Sequence, residues 1–179
     1  MKKKLIILLL IAYCLLLIVP PVLADYVLPY PSYMPGNKLY KISRIIDGLK
    51  RFWYFGNISQ IKYHMGLSDK YLVEAKTLFE YNQYLLGADA LTRSDKEFMQ
   101  VPTNLTGARG EGVDITSFKQ TVTEAAATHE AVLSRLLLIV PHTFTWKPEK
   151  SSSTELNLGD MIQSSEKLRM TVASESAVF

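Results

Sequence analysis

Three histidines, His64, His129 and His142, and several helix-borne carboxylates have the best claim to chemistry in this chain. His129-Glu130 begins like a zinc-protease helix, in which histidines one turn apart hold the metal and the glutamate acts as base. Leu133 stands where the second histidine is needed. Gly107, Gly110 and Gly112 imitate a phosphate cradle, but no strand precedes them and no lysine follows at the required spacing. No serine lies in a Gly-x-Ser-x-Gly turn. Glu74, Glu80 and Glu97 fall on helix faces expected to be solvated. An enzyme would need His64, Glu74 and His129 assembled across helices into one pocket. No catalytic, cofactor-binding or metal residue is assigned, and no cofactor or metal is expected.

The elements that would position such residues are helices. Asp25 to Gly36 holds three prolines and three tyrosines, which predicts an extended strap with its tyrosines along the helical body. Asn37 can cap a helix from Lys38 to Phe55, with Leu39, Ile42, Ile46, Leu49 and Trp53 at steps of three and four. Ile45 and Phe52 widen that stripe. Lys38, Lys41, Arg44, Lys50 and Arg51 occupy much of the remainder, and Asp47 is its only acid. A core helix with a solvated basic face is the first reading of this pattern. A membrane or partner contact through Lys38, Lys41, Arg44, Lys50, Arg51 and Trp53 is the second.

Asn57 can cap a longer helix with a seam of Ile58, Ile61, Met65, Leu72, Ala75 and Phe79, interrupted by Ser68. Gly66 and Ser68-Asp69 allow a kink there, and Asn82-Gln83 marks a turn. Leu85, Ala88, Leu91 and Phe98 define a third helix ending before Pro102, and Pro102 to Gly112 reads as a loop. Asp114 can cap a fourth helix carrying Ile115, Phe118, Val122, Ala125, His129, Val132, Leu136 and Ile139. Leu136 to Val140 is apolar nearly all round, so it is expected to be buried or to meet a partner. Pro141 stops it. Residues 142–179 then read as a linker and a loosely ordered tail, with a short, weakly docked helix using Leu158, Met161, Ile162, Ser165, Leu168 and Val172.

Residues 1–24 have the parts of an export signal: Lys2, Lys3 and Lys4, an apolar run from Leu5 to Val19, then Val22-Leu23-Ala24. Cleavage after Ala24 is expected, with an uncleaved anchor as the alternative. Cys14, the only cysteine, would leave with the signal, so no disulfide is expected. The three lysines account for the whole net charge of +3, and the rest of the 179 residues balance. A generally basic nucleic-acid binder is thereby disfavoured. Asn57-Ile-Ser and Asn104-Leu-Thr match the glycosylation pattern, which matters only in a host with that machinery.

Leu28-Pro29, Met34-Pro35-Gly36, Leu39-Tyr40-Lys41-Ile42 and Ala75-Lys76-Thr77-Leu78 resemble a family of exported bacterial helical domains, domain of unknown function 5667. That resemblance covers Leu28 to Phe98. It implies an exported helical protein and brings no activity or site residue. The chain is expected to be all-α, an antiparallel bundle of about four helices over residues 37–141. Its leading functional reading is a non-catalytic envelope or surface module that binds a protein partner. Peripheral binding to an anionic membrane through residues 38–55 is the alternative.

Overall fold

The computed structural model describes residues 26–150 and 152–178. The export signal, its cleavage position and Cys14 lie outside them. The described residues form α1 (Tyr40–Lys50), α2 (Asn57–Glu80), α3 (Tyr84–Phe98), α4 (Val101–Gly110), α5 (Thr116–Ile139), β1 (Thr143–Trp146), β2 (Thr154–Asn157) and α6 (Leu158–Val178). The fold is all-α, with one two-stranded antiparallel hairpin pairing Thr143 with Asn157 and Trp146 with Thr154.

Four long helices form the bundle as two antiparallel pairs. In the first pair, His64 of α2 meets Glu97 of α3 and Ser68 meets Ser94. In the second, Ser134 of α5 meets Glu166 of α6. Between the pairs the helices run parallel: Lys62 lies over Phe118 and Asp69 meets His129, joining α2 to α5. Asp95 of α3 meets Ser165 of α6. A short turn at residues 81–83 joins α2 to α3, whereas the connection from α5 to α6 carries the β1–β2 hairpin.

The core has two apolar halves. Leu72, Phe79, Leu91, Leu133, Leu136, Leu158 and Ile162 fill one, and Ile61, Met65, Phe98, Leu105, Val122 and Val172 fill the other. A polar layer of Ser68, Asp69, Ser94, Asp95, His129, Ser165 and Arg169 separates them, drawn from all four long helices. The serine that interrupts the α2 seam therefore has a partner. Ser68 Oγ donates to the Ser94 carbonyl at 3.0 Å, and Ser94 Oγ returns a bond to the Ser68 carbonyl at 2.8 Å. Helix α2 runs unbroken through Gly66 and Ser68. Its turn into α3 lies where expected, with Asn82 at φ 59°.

Two expectations are corrected. Pro102 to Gly112 is mostly helical: Pro102 sits in the first turn of α4, where its missing N–H is harmless, and Val101, Leu105 and Ala108 are buried. Gly107 is there for close approach, since a Cβ would lie 2.6 Å from the Asn57 side chain. The tail is a 21-residue helix, not a short or loosely docked one. Its predicted face is right, for Leu158, Ile162, Ser165 and Val172 are all buried. The polar termini suggested fraying, but Arg169 is fully buried as well and ties the helix to α3.

Candidate functional site

The chain from Asn37 to Phe55 lies between two glycines with positive φ, Gly36 at 100° and Gly56 at 78°, and turns sharply at both. Asn37 Oδ1 accepts the Leu39 N–H at 2.9 Å in a turn ahead of the helix. The helix starts at Tyr40 with Leu39 at its N-cap and no side-chain cap, so Asn37 does not take the capping role expected of it. Tyr40, Ser43 and Asp47, at steps of three and four, form the edge that faces the bundle.

That edge is held by polar contacts. Tyr40 OH donates to Glu74 Oε1 at 2.6 Å and accepts from Arg93 Nη1 at 2.9 Å. Arg93 Nη2 reaches the same Glu74 oxygen at 3.1 Å, and its guanidinium lies 5.0 Å from the Tyr71 ring centroid. Lys70 Nζ donates to Ser43 Oγ at 3.0 Å and to the buried Asp47 carboxylate. Tyr63 OH donates to the Asp47 carbonyl at 2.9 Å, and Tyr54 packs on Tyr63. Burial raises the Tyr40 phenol above its ordinary pKa, reinforced by the Glu74 carboxylate. Burial likewise pushes Tyr71 up to about 12. Both hydroxyls stay protonated, so Tyr40 remains the donor to Glu74.

Docking by the polar edge turns the apolar stripe outward. Ile45 is 63% exposed and Trp53 70% exposed. Leu39, Ile42, Ile46, Leu49, Phe52 and Phe55 are exposed as well. This overturns the reading of α1 as a core helix with a solvated basic face. The periodicity was real, but amphipathicity does not say which face meets the protein. Lys38, Lys41, Arg44, Lys50, Arg51 and Trp53 are all exposed. Lys50 lies 3.4 Å from Asp47. Lys38, Lys41, Arg44 and Arg51 form no ion pair among the described residues.

Tyr40, Ser43, Asp47, Glu74 and Lys70 belong to this site and were not singled out as part of it. Glu74 is buried, contrary to the solvated face expected for it, because its partners come from two other helices. Asp47 gave the one available signal, as the lone acid in a basic segment. The strap also differs from expectation. Tyr26, Leu28 and Met34 pack on the core, whereas Tyr30 and Tyr33 point outward.

No family model, curated protein or solved structure matches the chain. The resemblance to domain of unknown function 5667 thus has no family match behind it.

His64, Glu74 and His129 are not gathered into one site. His64 pairs with Glu97 at 2.7 Å, Glu74 with Tyr40 and Arg93, and His129 with Asp69 at 2.7 Å. Along α2, His64 and Glu74 are separated by about 15 Å of helical rise. His129 is the hydrogen-bonded core histidine its seam position suggested, and Tyr26 OH donates to the other Asp69 oxygen at 2.6 Å.

Burial lowers the His129 pKa below its ordinary value and outweighs the Asp69 hydrogen bond. Arg169 adds repulsion, while Asp69 and Asp95 act in the opposite sense. A lowered folded pKa means that the unfolded chain takes up the proton first. Stability from this group is therefore present above about pH 6.5 and is lost as pH falls towards the folded pKa. Urea unfolding across that range should show stability declining with acidity, and His129→Leu should flatten the decline.

Proposed function

We propose that this chain is a non-catalytic module that docks on an anionic membrane surface through the outward face of α1. The observation that carries the reading is the inverted docking of α1, polar edge to the bundle and apolar stripe to solvent. An apolar stripe of this size is costly to leave in water and marks a contact surface. Its chemistry favours lipid. Phe52, Trp53, Tyr54 and Phe55 form an aromatic cluster of the kind that settles at headgroup level. Lys38, Lys41, Arg44 and Arg51 add roughly 1 kcal/mol each near an anionic surface.

A second copy of this chain fits less well, because facing stripes would bring those cations together. The acting compartment is outside the cytoplasm, as residues 1–24 imply. Among the described residues no helix is long and apolar enough to cross a membrane, which suits a helix lying in the interface.

Vesicle co-sedimentation tests the proposal. Binding should require anionic lipid and weaken by tenfold or more, roughly, between low and physiological salt. Equal binding to anionic and neutral vesicles would refute it and return the face to a protein partner.

A further inference from the structure

The strap and α1 enclose an open groove of about 570 Å3, within the roughly 300–1,000 Å3 typical of small-molecule clefts. Pro29 and Tyr33 form one wall, Leu39, Ile42 and Ile46 the other, and Gly66 of α2 contributes to the floor. The lining is mostly apolar, yet it includes the side chains of Lys50, Lys70 and Asp47. Both ammonium groups share the one Asp47 carboxylate, leaving a net positive charge beside an apolar trough. Lys70 spends two of its three donors on Ser43 and Asp47, and Lys50 spends one. Donors for a second anion are therefore present in the lining of the groove.

We infer that this groove binds a single-chain anionic amphiphile, its acyl chain between Tyr33 and Ile46 and its carboxylate or phosphate on Lys50 and Lys70. The inference rests on the reading of α1 as a lipid-facing helix and adds a discrete ligand to it. The two surfaces share Leu39, Ile42 and Ile46 and are separable at Ile45, Phe52, Trp53 and Phe55, which do not line the groove. Headgroup and chain act together. The charge-assisted bonds favour an anionic head, and the walls supply the apolar burial that holds the tail.

The test is titration of the protein, with its native amino terminus, against dodecanoate and dodecanol below micelle-forming concentration. Dodecanoate should bind at one site and about tenfold more tightly than dodecanol. Inorganic phosphate, which has the charge without the chain, should not compete. Gly66→Trp should block the groove and abolish binding, since Gly66 lines the groove and a Cβ there meets nothing within 4 Å. Lys50→Gln, which leaves Asp47 paired with Lys70, should erase the preference for dodecanoate over dodecanol.

Dodecanoate binding that survives Gly66→Trp overturns the inference, as does an affinity independent of the head. Binding lost in Ile45→Asp/Trp53→Asp but kept in Gly66→Trp is partition onto the outer face and also overturns it. One-site dodecanoate binding in a protein that ignores vesicles would sustain the groove and remove the membrane reading.

Discussion

Replacing Ile45 and Trp53 together by aspartate should leave the fold intact and lower affinity for anionic vesicles by about a hundredfold or more. Neither side chain is part of the apolar core, so the stability cost of the exchange is small. Both lie on the face that the membrane reading places in lipid. Full burial of a large apolar side chain is worth roughly 1.5–3 kcal/mol, and interfacial insertion of two such groups returns a total near 3 kcal/mol. The new carboxylates also meet like-charged headgroups. Loss of vesicle binding with unchanged urea midpoint supports the account. A variant that binds as well as its parent contradicts it.

Arg169→Met should destabilise the fold by about 3 kcal/mol or more, the largest effect expected from any single exchange in the polar layer. Arg169 Nη2 lies 2.8 Å from Asp95 Oδ1 and donates to Ser94 Oγ at 2.9 Å, while the guanidinium stacks 4.7 Å from the Phe98 ring centroid. Methionine fills the volume but leaves Asp95 without its cation. Burial already holds the Asp95 pKa above the usual carboxylate range, despite Arg169 and the Ser165 hydroxyl. The remaining carboxylate would be costlier still to ionise. Arg169→Met combined with Asp95→Leu should recover most of the loss, since removing both partners avoids the stranded charge. Urea unfolding of the three proteins decides this. A single variant within about 0.5 kcal/mol of its parent would mean that the pair does not hold α6 to α3.

The sequence made the bundle legible where its pattern was local. Steps of three and four along α2 and α5 pick out Ile61, Leu72, Val122 and Leu136, all buried. Asp114 marks the start of α5 as its type and place suggest, although Ile115 holds the N-cap position without a side-chain cap and Asp114 accepts the Thr116 N–H at 2.9 Å from one residue further out. What was not legible depends on partners far along the chain. Arg169 reads as a surface residue until Asp95 and Ser94, more than seventy residues earlier, are known to face it. Glycines and a proline made α4 look like a loop, because propensity ignores the burial of Val101, Leu105 and Ala108.

The site itself was half legible. The residues of its outward face were named with their orientation reversed, and those of its docking edge were not singled out. The stripe from Leu39 to Trp53 looks like any core-facing helix, and only the contacts of Tyr40, Ser43 and Asp47 show that the opposite edge meets the bundle. A polar docking edge is short and mixed with solvated basic residues, so it leaves little periodic signal. Leu138 and Ile139 repeat the lesson at the end of α5. That apolar segment contains the buried Leu136 and Val140 beside a Leu138 that is 85% exposed.

The insertion of α1 can be measured at a single residue. The chain has two tryptophans, so Trp146→Phe leaves Trp53 as the only indole. The fluorescence of that variant should be quenched by lipids brominated in the upper acyl chain when the vesicles are anionic, and not when they are neutral. Vesicle binding with Trp53 fluorescence indifferent to the bromines would contradict the claim that this face of α1 enters the lipid.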